Sequence, residues 1–157
     1  MATDIFAKLG DIKGESIDSK HKDEIEVLSW SWGVTNPVSL AGSGAGTGKA
    51  HFHDLSFTHK IDKASPVLMQ ACATGVHLKE ATITHRKAGK GQQEFLVIKM
   101  NDVIITALAD ADSGDSSTET VSLAFAKINV EYKPQKPDGS LGAGIHFKYD
   151  LKASKGA

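Results

Sequence analysis

The stretch Glu26-Val-Leu-Ser-Trp-Ser-Trp-Gly-Val34 decides the fold class, because large apolar residues and small residues alternate along it. Such a period of two is typical of a β-strand with one face in the core and one face in water. The apolar residues that share one face, and that we predict to lie in the core, are Leu28, Trp30 and Trp32. Ser29 and Ser31 then point outward.

Similar runs recur along the chain, separated by clusters of glycine, proline and aspartate. The predicted strands cover residues 3–13, 26–34, 51–61, 78–87, 94–108, 121–133 and 145–152. The fifth of these is either buried on both faces or broken by a turn near Asn101-Asp102. The pattern predicts a mainly β protein, an antiparallel β-barrel of short strands with one flanking α-helix.

The predicted helix begins at Ser65, which is a plausible N-cap, followed by Pro66 at the first helical position. Gly75 is placed to end the helix in the left-handed conformation. The predicted apolar stripe consists of Val67, Leu68, Ala71 and Cys72.

Composition sets limits on the class of protein. The 157 residues carry a formal net charge of -1 and are 40% hydrophobic, which is typical of one soluble domain spanning residues 1–157. The balanced charge argues against nucleic-acid binding, and no apolar run is long enough for membrane insertion. One cysteine cannot form an internal disulfide, and the first residues lack the features of a signal peptide. We therefore expect folding in the cytoplasm.

A glycine-rich segment at residues 40–50 separates two predicted strands and is expected to be a contact loop. Its residues of interest are Gly42, Ser43, Gly44, Ala45, Gly46, Thr47, Gly48 and Lys49. The segment superficially resembles a phosphate-binding loop, but Ser43 replaces the first glycine and Ala50 replaces the hydroxyl residue after the lysine. A strand rather than a helix is predicted to follow, so nucleotide binding is disfavoured.

No residues in the sequence form a convincing catalytic arrangement, and we expect neither catalytic residues nor a cofactor. His51, His53 and His59 share one face of a predicted strand, which leaves a zinc-dependent enzyme as an alternative. However, Leu55 and Phe57 occupy the same face, so surface or interface histidines are favoured over metal ligands.

Seven segments of the chain, together with His21 and the glycine-rich loop that ends at Gly48-Lys49, resemble the haemolysin-coregulated protein (Hcp) family. They are Phe6-Ala-Lys-Leu-Gly-Asp-Ile-Lys-Gly-Glu-Ser16, Glu24-Ile-Glu-Val-Leu-Ser-Trp-Ser-Trp-Gly33, Asp54-Leu-Ser-Phe-Thr58, Ile61-Asp-Lys-Ala-Ser-Pro-Val-Leu-Met69, His85-Arg-Lys-Ala-Gly89, Val121-Ser-Leu-Ala-Phe-Ala126 and Val130-Glu-Tyr-Lys-Pro-Gln135. The resemblance therefore covers nearly the whole chain.

This resemblance implies a β-barrel that assembles into a homohexameric ring. Rings of that family stack into the inner tube of the type VI secretion machine, inside a contractile sheath and behind a spike protein, and the lumen carries small effectors. Such a tube is built in the bacterial cytoplasm and expelled without a signal peptide. The resemblance makes residues 42–49 a candidate contact between subunits or rings, while Ser29 and Ser31 face either the lumen or bulk solvent. A monomeric ligand-binding β-barrel is the main alternative.

Overall fold

The computed structural model describes residues 3–38, 49–87 and 91–156. In chain order the elements are β1 (Thr3–Leu9), β2 (Ile25–Ser31), β3 (Val34–Thr35), β4 (His51–Phe52), β5 (Leu55–Lys60), α1 (Ser65–Thr74), β6 (His77–Lys87), β7 (Glu94–Asp112), β8 (Ser117–Tyr132) and β9 (Ile145–Asp150). Within these ranges, no helix is both long and apolar enough to cross a membrane.

Six antiparallel strands close into a barrel. The strand order is β5-β2-β1-β6-β7-β8, and β8 pairs back with β5 to complete the circle. β9 pairs with residues 127–132 of β8, beyond the residues that pair with β5, and so lies outside the closed barrel. β3 pairs with β4 in a separate two-stranded sheet. The predicted antiparallel barrel with one helix is confirmed for the described residues.

The barrel interior is filled from every strand of the closed sheet and from one side of α1. Leu9, Ile25, Leu55, Ile98 and Leu123 are among its most completely buried side chains. From α1, Ala64 at its start and Leu68 are fully buried against the same cluster. The helix therefore packs on the barrel as one more layer of its core.

The prediction that Leu28 lies in the core is wrong, because its side chain is 53% exposed. Val27 pairs with His59 and Ser29 pairs with Thr58, so Leu28 is an extra residue that the register of β5 skips. This β-bulge turns Val27 inward and Leu28 outward, and the strand then resumes its alternation. Trp30 and Trp32 are half-buried and pack against the core.

The helix differs from its prediction at the start. Ala64 occupies the N-cap position, and Ser65 is the first helical residue, whose hydroxyl accepts a hydrogen bond from the Asp62 N–H at 3.1 Å. Val67 is 48% exposed rather than part of the buried stripe, which consists of Leu68 and Ala71 with Cys72 half-buried. Gly75 ends the helix with φ +66°, as predicted.

Two strands have limits that the sequence did not predict. The region 51–61 is divided between β4 and β5, which belong to different sheets. β7 continues without a break through Asn101-Asp102 to Asp112, and β8 begins at Ser117, so residues 110–120, which lie between two predicted strands, form a β-hairpin. Asp112 stabilises its turn by accepting hydrogen bonds from the Gly114 N–H and the Ser117 hydroxyl.

Candidate functional site

Ser29 and Ser31 are exposed on the outer side of the barrel, where they begin a continuous surface of hydroxyl groups. Ser29 lies opposite Thr58, which lies opposite Thr120, and Ser31, Ser56 and Ser122 form a second row in the same way. The Ser56 and Ser122 hydroxyls are 2.8 Å apart, and those of Thr58 and Thr120 are 3.1 Å apart. We name this surface the hydroxyl face: Ser29, Ser31, Ser56, Thr58, Thr120 and Ser122.

Alternation along β5 and β8 produces the hydroxyl face. Leu55 and Phe57 of β5, like Val121 and Leu123 of β8, point into the core and are at most 1% exposed, so the residues between them point outward. Beyond β8, the exposed Ala107 and Ala109 of β7 extend the same rows with small side chains. The result is a small-residue, uncharged surface that can form hydrogen bonds with water or with a polar partner but offers no deep site.

A second surface is apolar and lies where β9 joins β8. Ile145 pairs with Tyr132, and Phe147 pairs with Val130. Ile145 is 66% exposed, Tyr132 is 47% exposed and Phe147 is 41% exposed. We name Tyr132, Ile145 and Phe147 the β9 apolar face. Adjacent exposed apolar side chains of this size are typical of a surface that contacts another protein.

An aromatic cluster, which includes Phe147 of this face, joins β9 to the small sheet. The Phe52 ring of β4 lies 4.7 Å from the Tyr149 ring and 6.3 Å from the Phe147 ring. Trp32 lies 6.1 Å from Phe52 and 6.4 Å from Phe147. β9 pairs with β8 along one edge; on its other edge Asp150 pairs with Lys155 of the C-terminal turn, and among the described residues the rest of that edge is open. Open strand edges are common places for pairing with another chain.

Contacts among Phe6, Asp18, His21 and Arg86, which we name the clasp, fix the long connection between β1 and β2 to the outside of the barrel. The Phe6 ring is stacked on His21 at 4.4 Å, while the Arg86 guanidinium lies 4.9 Å from the centre of the same ring. Arg86 is 4% exposed and donates to both carboxylate oxygens of Asp18. This ion pair holds the pKa of the Asp18 carboxyl well below its ordinary value.

The three histidines of the zinc alternative do not converge. His51 and His53 are exposed, with ring centres 5.2 Å apart, whereas His59 is fully buried in the barrel. In the ranges that the structure describes, no three histidine, cysteine or acidic side chains are grouped as a metal site would require. The shared parity from 51 to 59 was misleading because β4 and β5 belong to different sheets.

His59 instead forms a buried hydrogen bond with an acidic residue that the sequence did not identify as its partner. Its Nε2 lies 2.9 Å from Oε1 of Glu119, directly opposite on β8, and both side chains are 0% exposed. Burial raises the pKa of Glu119 to about 8, and burial lowers the pKa of His59. The available signal was parity, since Glu119 falls on the same side of its strand as Val121 and Leu123.

Of the predicted contact loop, residues 42–48 lie outside the described residues. Lys49 is described and exposed just before β4. The loop therefore connects the two strands of the small sheet that packs on β9.

Comparison with known proteins gives consistent matches over most of the chain. The family described as "Type VI secretion system effector, Hcp" matches residues 6–132. Protein hcp1 of Pseudomonas aeruginosa is 47% identical over 97% of both chains. The crystal structure of Hcp1 from Salmonella typhimurium covers 100% of both chains with a TM-score of 0.81 and 39% identity. A solved type six secretion system protein covers 99% of this chain and 100% of its own, with a TM-score of 0.93 and 29% identity.

Proposed function

The chain belongs to the Hcp family of type VI secretion proteins, and we propose that it is a structural subunit of the secretion tube. In this proposal, residues 1–157 form one domain, six copies form a ring, and rings stack head to tail inside a contractile sheath and behind a spike protein. The rings assemble in the bacterial cytoplasm and leave the cell with small effectors in their lumen.

The observation that carries this proposal is the β9 apolar face. Tyr132, Ile145 and Phe147 are exposed together beside a strand edge that, among the described residues, is paired only at Asp150, although burying these side chains would be favourable. A neighbouring copy that covers this face would remove apolar area from water and could also satisfy the open edge. Contacts between unlike surfaces of identical copies close into a ring when the rotation between copies is a whole fraction of a turn.

The chemistry of the hydroxyl face supports its assignment to the wall of the ring lumen. A channel through which proteins pass needs a wall that is wetted but does not hold its cargo tightly. Serine and threonine hydroxyls satisfy this need, because each can exchange hydrogen bonds with water at little net cost. We therefore assign Ser29 and Ser31, with the four hydroxyl residues beside them in register, to the lumen wall.

Residues 42–49 are our candidate for the contact between subunits or stacked rings. Lys49 is exposed at the end of this segment, and β4, which follows it, packs through Phe52 on Tyr149 and on Phe147 of the β9 apolar face. A loop anchored beside a ring interface is well placed to reach a neighbour.

The role is structural rather than catalytic in this proposal. Buried polar groups of the described residues are used to fasten elements of the fold, as in the Arg86–Asp18 and His59–Glu119 pairs. The alternative of a monomeric ligand-binding barrel would need the β9 apolar face to remain uncovered in solution.

Molar mass in solution tests the proposal. One chain has a mass of 16.7 kDa, so a closed hexamer should measure about 100 kDa by light scattering and should give ring-shaped particles in negative-stain images. A species of about 17 kDa at all concentrations would contradict the ring and favour the monomeric barrel.

A further inference from the structure

The pair His59–Glu119 is unusual because two ionisable side chains face each other inside the barrel with no exposure to water. The 2.9 Å hydrogen bond between Nε2 and Oε1 uses one polar atom of each side chain. His59 Nδ1 and Glu119 Oε2 are buried and have no hydrogen-bond partner among the described residues. A buried polar pair that is only half satisfied is sensitive to any change in its charge.

The pair also connects the barrel wall to the start of α1. His59 Nδ1 lies 3.9 Å from Oδ2 of Asp62, and Oδ1 of Asp62 accepts a hydrogen bond from the Ala64 N–H at 2.9 Å. Across the sheet, Glu119 lies opposite Asp110 in the β7–β8 hairpin. A change at the pair therefore reaches both the helix and the hairpin directly.

We propose that His59 and Glu119 form a proton-dependent latch, in which one proton held within the buried pair keeps α1 and the β7–β8 hairpin closed on the barrel and its loss at alkaline pH releases them. This latch does not depend on the proposed tube function, because every residue in it belongs to one chain.

The surroundings explain why the pair holds a proton. The neutral state of the pair needs no buried net charge, whereas removal of a proton leaves an uncompensated carboxylate in the interior. Asp110 and Asp62 add further negative charge beside Glu119, and both raise the pKa of its carboxyl after the larger effect of burial. Burial raises the pKa of Asp62 as well, and the charge of Glu15 acts on that pKa in the same direction. Lys60 is exposed and directed away from the pair, where water screens its charge.

The sign of the pH effect follows from counting protons. Above pH 6.5, the unfolded chain has a neutral histidine and an ionised glutamate, so it binds one proton fewer than the folded pair. Stability must then fall as the pH rises from about 6.5 to about 8, where the folded pair itself loses the proton. Between about pH 4.5 and 6.5 both states hold the same number of protons, and this contribution is constant.

Urea unfolding of the whole chain between pH 5.5 and 9 tests the latch. In the wild type, the unfolding equilibrium constant should rise by up to tenfold per pH unit from about pH 6.5 to 8. Glu119→Gln keeps the size and a neutral side chain but cannot titrate, so the rise should disappear. Glu26→Gln is the matched control, because Glu26 is exposed on β2, and it should keep the wild-type slope. The wild type and both variants are compared in the same oligomeric state, which light scattering establishes for each.

Hydrogen exchange in the unmodified protein gives a second measurement that needs no variant. After correction for the intrinsic pH dependence of exchange, protection of α1 and of residues 109–120 should fall between pH 6.5 and 8.5, while protection of β1 and β6 should persist. Equal pH slopes for the wild type and Glu119→Gln would overturn the latch. Unchanged protection of α1 over this range would overturn it as well, including in the case that Glu119→Gln does not fold.

Discussion

Ile145 of β9 lies directly opposite Tyr132 of β8, and both apolar side chains are exposed, at 66% and 47%, at one end of the β8–β9 pair. β8 is 16 residues long and serves two partners in turn, pairing with β5 through its first part and with β9 through its second. The barrel closes on the first part only. The second part pairs with β9 outside the closed barrel, and the part of the chain that the structure describes leaves Ile145 66% exposed and Tyr132 47% exposed.

Replacement of Ile145 by lysine should break the ring. The substitution places a charge in the middle of the β9 apolar face, where covering by a second copy would require its desolvation. We expect the mass measured by light scattering to fall from about 100 kDa to about 17 kDa at the same concentration. The far-ultraviolet circular dichroism spectrum should be unchanged, because Ile145 is 66% exposed within the chain.

Ile17→Lys is the control for that experiment. Ile17 is 93% exposed on the connection between β1 and β2, so the chemistry of the substitution is the same at a different place on the surface. The control should keep the hexameric mass. If Ile145→Lys also keeps it, the β9 apolar face is not the interface between subunits.

Enlargement of Ser31 should reduce cargo retention without preventing assembly. Ser31→Tyr places a ring on the hydroxyl face, where neighbouring side chains are small. We expect less co-purification of a co-expressed small type VI effector, with an unchanged hexameric mass. Ser19→Tyr changes an exposed serine on the β1–β2 connection and should leave retention as in the wild type. Equal retention by all three proteins would count against a hydroxyl face in the lumen.

Deletion of residues 43–46 should weaken assembly into rings or stacks but leave the fold of the chain intact. The flanking strands β3 and β4 pair through Val34 with Phe52 and Thr35 with His51, away from the deleted residues. When both proteins are monomeric, the deletion variant should therefore have the same urea unfolding midpoint as the wild type. Negative-stain images should show fewer rings or shorter stacks than the wild type, and stacks of normal length would refute the assignment of this loop.

The sequence was sufficient for the barrel because alternation is a local property. Strands with buried residues at every second position identify themselves, and Pro66 and Gly75 mark a helix in the same local way. Leu28 was misplaced because a β-bulge depends on how two strands are paired, which one strand does not reveal. Its neighbours Ser29 and Ser31 kept their predicted outward direction because the bulge lies before them.

The candidate functional surfaces were harder to predict from the sequence for the same reason. Ser29 could be recognised on its own strand, but the row that it forms with Thr58 and Thr120 exists only through the register of three strands. Glu119 showed inward parity within its strand, yet His59 as its partner is 60 residues away in the sequence. Interactions between distant strands decide these features, and they require the closed barrel.

Acid should weaken the clasp between Asp18 and Arg86. The bond with Arg86 holds the pKa of Asp18 below its ordinary value of 3.8, so the stability that it adds is present above about pH 4 and is lost as the pH falls. Asp18→Asn should therefore lower the urea midpoint at pH 7, with a difference from the wild type that shrinks toward pH 3. Asp11→Asn, at an exposed position, should show no such convergence. A constant difference for Asp18→Asn between pH 7 and pH 3 would contradict the ion pair.

Alanine at Gly14 should destabilise the fold where the β1–β2 connection returns to the barrel. An added Cβ would lie 2.5 Å from the Glu24 carbonyl oxygen and 2.9 Å from Cα of Ile25, and both are backbone atoms that cannot rotate away. The Gly14 N–H also donates to the Asp23 carbonyl at 2.7 Å, so the two segments cannot separate without losing that bond.

We expect Gly14→Ala to lower the free energy of unfolding by about 1 to 3 kcal/mol, as at other overpacked sites. Gly33→Ala is the matched control, because its nearest atom would be Cδ2 of His53 at 3.6 Å, an ordinary contact. Thermal unfolding at one protein concentration should place Gly14→Ala several degrees below both the wild type and Gly33→Ala, and equal midpoints for the two variants would show that the connection can shift to admit a methyl group.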